Sequence, residues 1–240
     1  MKVGYIRKFS NLTKKEILNI IDKNLEDNGF LHIVILNYTL FMKGIFSAKI
    51  RAAIKRADVI VPEGKLMNWA VWFITKRLIE KDPAKGLFMH LIRKYEKTSK
   101  TFFFIGGNRS ILNECVINNR KSFPEIKITG SFPEEMLKVR EKDVREVIRK
   151  TEPNFLFVGL DKGRDERWIQ RNKEVCKSSI CLGIKDGVEV SAGAKKQPPY
   201  WMKEKGWEPL YELLRKPWRI FGIFKLTLFF FIILTNKIFK

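Results

Sequence analysis

The stretch "FLHIVILN", residues 30–37, is an almost continuous apolar run of strand length. A half-exposed strand alternates apolar and polar residues, whereas a strand that is covered by helices on both faces is apolar nearly throughout. The stretch therefore predicts a central strand of a parallel sheet, and Asn37 marks the end of that strand.

The chain around this strand alternates between further apolar runs and amphipathic segments. "SAKIRAAIKRA" (47–57) and "EEMLKVREKDVREVIRKT" (134–151) have the spacing of helices. The other predicted strands are "DVIVPEG" (58–64), "TFFFIGGN" (101–108), "EIKITGSF" (125–132), "NFLFVGL" (154–160) and "SSICLGI" (178–184). Strands and helices that alternate in this way form βαβ units. The predicted fold is α/β and Rossmann-like, a mostly parallel sheet with helices on both faces, plus a basic hydrophobic C-terminal helical appendage.

Polar residues and glycines follow the predicted strands, at the edge where parallel sheets gather their ligands. The Glu63 carboxylate is suited to deprotonating a hydroxyl, with a helix cap or a surface position as the alternative. Asn37 is suited to holding a sugar hydroxyl or to capping a turn. The pair Gly106–Gly107 either lets the backbone approach a ligand or serves a tight turn. The charged run "DKGRDER" (161–167) is either a ligand loop or a solvated turn.

The composition narrows the class of partner. Net charge is +21, from 47 Lys+Arg against 26 Asp+Glu, which favours an anionic membrane face, a phosphorylated substrate or nucleic acid. No recognition-helix, RNP-like or zinc pattern supports nucleic acid. Three cysteines without CxxC spacing and only two histidines argue against a disulfide framework, a zinc site and a His-based triad. "MKVGYIRKFSNLTKKE" at the start contains no apolar core, so we expect no signal peptide.

The C-terminal part has a different character. "AGAKKQPPYW" (192–201) marks a boundary, which predicts an α/β domain at 1–194 and a basic, aromatic appendage at 195–240. "IFGIFKLTLFFFIILTNKIFK" (220–240) is apolar but falls short of the ~20 apolar residues of a spanning helix. The sequence leaves three alternatives open, namely a helix buried against the domain, a membrane-surface helix and a short span.

Eight short elements follow one another along the chain. They are "VILN", "VPEG", "FFFIGG", "GSF", "GLDKGRDERWI", "VEVSAG", "KQPPYW" and "GWEPLYELLRKPWRI". In this order and at this spacing they resemble the WecG/TagA/CpsF family of bacterial glycosyltransferases. The resemblance covers nearly the whole chain, from about residue 30 to about residue 220.

The resemblance implies a metal-independent inverting transferase without a cofactor. Such an enzyme moves an N-acetylmannosamine-type sugar from UDP to a polyprenyl-diphosphate-linked acceptor in cell-surface polysaccharide synthesis, at the cytoplasmic face of the membrane. It implies that Glu63 is the catalytic base and that Asn37 orients the sugar. The substrate-binding residues are then expected to be Gly64, Gly106, Gly107, Arg164, Asp165, Glu166, Lys196, Gln197, Arg215 and Arg219. The expected partners are the UDP-sugar, the polyprenyl-linked acceptor and an anionic membrane surface, with a homo-oligomer as a further option and no nucleic acid.

The chain departs from the family pattern at several positions. Glu63 stands where the family has Asp, Ile35 where it has Thr, and Asp165 where it has Gln. Phe88 and Glu212 occupy positions of a family Asp and a family Arg. These departures motivate an alternative function, a catalytically impaired member that acts as a nucleotide-sugar or glycan-assembly binding module at the membrane.

Overall fold

The structure, a computed structural model, describes residues 12–76, 83–84, 86–160, 163–184, 187–194, 202 and 221–238, with side chains of 226–235 in the last stretch. Its strands are β1 (Leu31–Leu36), β2 (Val59–Pro62), β3 (Thr101–Gly106), β4 (Lys127–Phe132), β5 (Phe155–Gly159) and β6 (Ile180–Gly183). They form one six-stranded sheet in the order β2-β1-β6-β5-β3-β4. Every neighbouring pair is parallel, so the predicted fold class is confirmed.

Helices connect the strands along the described chain. They are α1 (Lys14–Asp27), α2 (Tyr38–Phe46), α3 (Ala48–Arg56), α4 (Lys65–Thr75), α5 (Leu87–Tyr95), α6 (Arg109–Ser122), α7 (Glu134–Val139), α8 (Glu141–Thr151), α9 (Arg164–Arg171), α10 (Gly187–Ser191) and α11 (Phe221–Ile238). Asn37 caps α2 and Asn108 caps α6, each through a 2.9 Å hydrogen bond from a backbone N–H to its side-chain oxygen. These caps make two of the helices begin directly at strand ends.

Successive strand residues point to opposite sides of the sheet, so each strand has apolar side chains on both faces. The helices pack on both faces and bury these side chains. On β1, Ile33 joins the cluster that contains residues of α1, α5, α6 and α10. Val34, its neighbour, joins the cluster of α2, α3, α4 and α11 on the other face. On β5, Leu156 and Val158 continue that second face against α8 and α9. Buried side chains on both faces explain why the strands other than β4 are apolar runs, whereas β4, at one edge of the sheet, contains no buried residue.

The C-terminal helix α11 packs against the second face. Phe229, Ile232 and Ile233 are buried in the same cluster as Phe41 of α2 and Met67 of α4. The domain boundary expected between residues 194 and 195 stays a prediction, since 195–201 and 203–220 lie outside the described residues.

Candidate active site

Asn37 and Glu63 lie side by side at the carboxyl edge of the sheet. Their strands are parallel neighbours in which Leu36 pairs with Pro62, so the residues that follow emerge together. The Asn37 Nδ2 lies 3.5 Å from the Glu63 Oε2, and the Asn37 Oδ1 accepts a 2.9 Å hydrogen bond from the Leu40 N–H. Asn37 therefore caps α2 with its oxygen and directs its amide nitrogen toward the carboxylate.

Gly64 leaves space beside this carboxylate. Its φ of 88° lies in the left-handed region, where a residue with a Cβ is strained. Among the described residues, a Cβ built on Gly64 would meet no atom within 4 Å, so the backbone conformation and not crowding requires glycine. Glu63 is half-buried next to this open space. A carboxylate in such a place can receive a substrate hydroxyl, as a general base must.

Gly106 and Gly107 form the turn between β3 and α6 on the same edge. A Cβ on Gly106, whose φ is 134°, would lie 2.1 Å from the Gly159 carbonyl oxygen at the end of β5. Packing between two strand ends thus requires the first glycine. Three strand spacings separate β1 from β3, which is about 14 Å. The expected contact of both glycines with a bound donor stays a prediction.

Arg164 is the first residue of α9, which begins shortly after the end of β5. Its Nη1 lies 2.8 Å from the Oε1 of Glu134, the first residue of α7, and its side chain is 41% exposed. The guanidinium therefore contacts both the protein and solvent near the carboxyl edge. Arginine is suited to diphosphate oxygens because its charge-assisted hydrogen bonds are strong and directional.

Asp165 and Glu166 differ from the expectation that they bind substrate, because both carboxyl groups are turned into the protein. The two residues are 3% and 1% exposed. The Glu166 Oε2 lies 2.6 Å from the His32 Nε2. On the other side of the ring, the His32 Nδ1 lies 2.6 Å from the Gln170 Nε2. The Asp165 Oδ1 accepts a 3.0 Å hydrogen bond from the Glu166 N–H.

Helical periodicity explains this inward orientation. Trp168 and Ile169 are buried against the sheet, and residues three and four positions apart share one face of a helix. Asp165 and Glu166 are therefore on the buried side of α9. The described residues of the charged run at 161–167 therefore fall into two groups. Asp165 and Glu166 are buried, whereas Arg164 is half-buried and Arg167 is exposed.

Burial governs the protonation of this cluster. It lowers the pKa of His32 to about 4, while Asp58 and Asp165 act in the opposite direction. Burial raises the pKa of Glu166 to about 8. Burial and the adjacent Glu166 charge raise the pKa of Asp165 to about 8, against the influence of Lys43. His32 is consequently neutral at pH 7, and the two carboxyl groups keep their protons far above the usual range.

His32 and Gln170 were not predicted as members of the site. The sequence does carry a signal for His32, since it is the one polar side chain within the apolar run of residues 30–36. A buried polar group requires a hydrogen-bonding partner. The pattern does not name that partner, because Glu166 lies 134 residues further along the chain.

Four of the expected substrate-binding residues, Lys196, Gln197, Arg215 and Arg219, lie outside the described residues. Within the described part, no group of three or more His, Cys, Asp or Glu side chains could hold a metal ion. Metal independence stays a prediction.

An apolar surface adjoins the Asn37–Glu63 pair. Tyr38 packs edge-on against Phe229 of α11, with ring centroids 5.4 Å apart. Trp69 of α4 packs against Phe230 at 5.2 Å. The outer face of α11 leaves large apolar side chains exposed, namely Leu226, Phe230, Phe231 and Leu234. Of the helices in the described ranges, none combines the length and apolar character needed to cross a bilayer.

A sequence model of the glycosyl transferase WecG/TagA/CpsF family matches residues 3–240. The chain belongs to this family. The match covers the Asn37–Glu63 pair, the glycine turn and α9, so the family assignment includes every described part of the candidate site.

Three curated relatives of this WecG/TagA/CpsF member carry the name N-acetylglucosaminyldiphosphoundecaprenol N-acetyl-beta-D-mannosaminyltransferase. The protein of Bacillus spizizenii is 25% identical over 197 residues, which are 81% of this chain and 76% of the relative. The Bacillus subtilis protein is 23% identical over 163 residues, 68% of this chain and 63% of the relative. The protein of Staphylococcus aureus strain MW2 is 23% identical over 172 residues, which are 72% of this chain and 66% of the relative. The matched stretches therefore span about two thirds to three quarters of these relatives.

Proposed function

We propose that the chain transfers an N-acetylhexosamine-type sugar from a UDP-sugar to a polyprenyl-diphosphate-linked acceptor in cell-surface polysaccharide synthesis. The observation that carries the proposal is the Asn37–Glu63 pair, which places a half-buried carboxylate next to open space at the carboxyl edge of the sheet. The names of the relatives describe a transfer to a diphosphoundecaprenol-linked sugar, which supports this class of acceptor.

In the proposed reaction an acceptor hydroxyl gives its proton to the Glu63 carboxylate. The hydroxyl oxygen forms a bond to the anomeric carbon while the bond from that carbon to UDP breaks on the opposite side, which inverts the configuration. Asn37 steadies the carboxylate through its amide nitrogen and orients the sugar. Arg164, with Lys196, Arg215 and Arg219 of the appendage, neutralises the diphosphate that leaves, and Gln197 of the appendage donates a hydrogen bond to it.

The outer face of α11 is the surface that we assign to the membrane. Its exposed apolar side chains lie on the helix whose opposite side packs against Tyr38, the residue after Asn37. A polyprenyl-linked acceptor stays in the bilayer, so the enzyme that uses it has to work at the bilayer surface. The cytoplasmic leaflet is the expected side, because it is anionic and the chain carries +21.

The test is a transfer assay with purified protein, bacterial membranes and a panel of radiolabelled UDP-sugars, followed by extraction of the lipids. One donor should label the lipid fraction. Glu63→Gln should lower the transfer rate by about 10²- to 10⁴-fold, the range for loss of a general base. Glu125→Gln is the matched control, since Glu125 is exposed and precedes β4 at the opposite end of the sheet. Unchanged transfer by Glu63→Gln would contradict the proposed base.

A second candidate function is a binding module without turnover. The observation that favours it is Ile35, an apolar and partly buried residue of β1 where the family pattern has a hydroxyl. Calorimetric titration with UDP and UDP-sugars separates the two functions. A module binds the nucleotide-sugar and labels no lipid with any donor, whereas an enzyme does both.

A further inference from the structure

Three polar side chains, two of them fully buried and the third half-buried, form a chain of contacts that the proposed reaction does not use. His32 is 0% exposed and Glu166 is 1% exposed, and both lie between α9 and the sheet. Gln170, one turn further along α9, continues the contact on the other ring nitrogen. Buried polar groups are costly unless their hydrogen bonds are made. This chain of contacts is complete, since each ring nitrogen of His32 has a partner at 2.6 Å.

The contacts define the direction of the hydrogen bonds. An amide nitrogen only donates, so the Gln170 Nε2 donates to the His32 Nδ1. The single proton of the neutral ring is then on Nε2, which donates to the Glu166 Oε2. The ring is fixed in one tautomer, and Glu166 is fixed by the ring.

Gly183 shows that β6 is shaped around the same carboxyl group. A Cβ at residue 183 would lie 2.3 Å from the Glu166 Oε1 and 2.9 Å from its Cδ. The φ of Gly183 is not in the left-handed region, so its backbone does not require glycine. The space that Glu166 occupies requires it. The first turn of α9 is therefore attached to β1 through His32 and seated on β6 through Gly183.

These attachments join the two parts of the proposed site. His32 is on β1, and Asn37 comes directly after the end of this strand. Arg164 and Glu166 are both in the first turn of α9. A rigid link between His32 and Glu166 therefore sets where Arg164 lies relative to Asn37 and its neighbour Glu63.

We infer that the His32–Glu166–Gln170 chain of contacts has a positioning role. It fixes the first turn of α9, which would bind the donor, relative to Asn37 and Glu63. The inference rests on the proposed function. We assign none of the three residues a contact with a substrate. They act through Arg164 and through Asn37, and a loosened first turn of α9 would misplace the UDP part of the donor.

Glu166→Ala and Glu166→Gln are the deciding variants, studied by calorimetric titration with UDP and by initial rates of transfer. Glu166→Ala should weaken UDP binding and raise the donor KM by about ten-fold, with the acceptor KM unchanged. Glu166→Gln should restore UDP affinity, since a neutral amide oxygen still accepts from the His32 Nε2–H. Leu91→Ala, a buried truncation on α5 at the other face of the sheet, is the control that lowers the melting temperature without altering UDP binding.

Histidine NMR gives a direct readout of this positioning role. The chain contains two histidines, so His90→Gln leaves the His32 ring as the single imidazole signal. Added UDP should shift the His32 ring nitrogens, because the donor-binding turn and the ring are mechanically linked. A ring that served stability alone would give the same spectrum with and without UDP.

The outcomes separate the two proposals. If the intact protein binds no UDP, the proposed function fails and this inference fails with it. If it binds UDP and Glu166→Ala binds equally well, or if Glu166→Gln loses as much affinity as Glu166→Ala, only the positioning role is overturned. Should Glu166→Ala not fold, Gln170→Ala at the half-buried end of the chain replaces it, with an expected loss of about three-fold in UDP affinity.

Discussion

Glu63 contacts the Asn37 amide with a side chain one methylene longer than that of aspartate. Glu63→Asp would keep the charge but draw the carboxylate back by roughly 1 Å, and a displacement of this size costs about 10²-fold in rate when alignment matters. We expect kcat/KM for transfer to fall by about that factor, in initial-rate measurements with the active donor. A rate at or above that of the natural chain would show that the site is built for the shorter acid.

The buried acids make stability depend on pH. Glu166 and Asp165 have folded-state pKa values of about 8, above those of an unfolded chain. The folded state therefore binds more protons, and the stability that this provides is lost as the pH rises through about 8. His32 contributes in the opposite sense at lower pH, between about 4 and its ordinary value near 6.5. Lys43 and Asp58 are the other charged groups that act on this cluster.

The melting temperature should accordingly fall between about pH 6.5, above which His32 no longer contributes, and about pH 8, the pKa of the two carboxyl groups. Circular dichroism melts across this range would measure it. Glu166→Gln removes one of the titrating groups, so its melting temperature should depend less on pH. Glu146→Gln, which alters an exposed acid on α8, is the control that keeps the original slope. A slope that Glu166→Gln leaves unaltered would contradict the buried-acid explanation.

At the scale of elements, α11 has two faces that can be tested separately. Phe229 is 0% exposed and Phe231 is 63% exposed. Phe229→Ala should destabilise the fold by about 3–5 kcal/mol, the usual cost of truncating a buried phenylalanine. Phe231→Ala should leave the melting temperature unchanged and weaken binding to liposomes. Ile117→Ala, an exposed apolar residue of α6 on the other side of the sheet, should change neither measurement.

The same two faces determine the expected result of a truncation. Because Phe229, Ile232 and Ile233 belong to a core cluster, deletion of residues 209–240 would expose their partners on α2 and α4. We expect such a truncated chain to lose both liposome binding and part of its stability. A truncated protein that melts at the original temperature would show that α11 contributes little to the core.

Most of the strands were predictable from sequence because they are compact apolar runs with a turn signal at the end, whereas β4 is a more polar strand at the edge of the sheet. "FLHIVILN" and "NFLFVGL" contain β1 and β5 as the structure has them. The convergence of Asn37 and Glu63 at one edge followed from the rule for parallel sheets. The inward orientation of Asp165 and Glu166 was not predicted, since the charged run allowed a ligand loop or a solvated turn and the family resemblance indicated the ligand loop. Their partners, His32 and Gly183, come from distant strands, and a local pattern cannot supply such contacts.

At the scale of the whole molecule, the excess of basic residues predicts that the transfer reaction does not require a divalent metal ion. An enzyme whose own cations neutralise the leaving diphosphate needs no Mg²⁺ for that task. We expect EDTA to leave the rate of lipid labelling unchanged. Abolished transfer that Mg²⁺ or Mn²⁺ restores would contradict this expectation and direct attention to a metal-binding acid.

The same charge should control membrane association. A chain of net charge +21 that carries an exposed apolar helix face should bind anionic vesicles more tightly than zwitterionic ones. Each basic group near an anionic leaflet contributes about 1 kcal/mol, and added salt screens this contribution. Vesicle co-sedimentation over a range of salt concentrations measures it. Equal binding to both kinds of vesicle at every salt concentration would show that apolar contact acts alone.

The edge-on contact between Tyr38 and Phe229 has a consequence for the lipid carrier. Asn37 precedes Tyr38, so on the proposed function only the thickness of α11, about 10 Å, separates the reacting groups from the leaflet. The diphosphate and first sugar of an acceptor can cross that height while the isoprenoid chain stays dissolved among the lipid tails. The enzyme then has no need to extract its carrier or to measure its length, and acceptors built on shorter isoprenoids should react as readily as long ones.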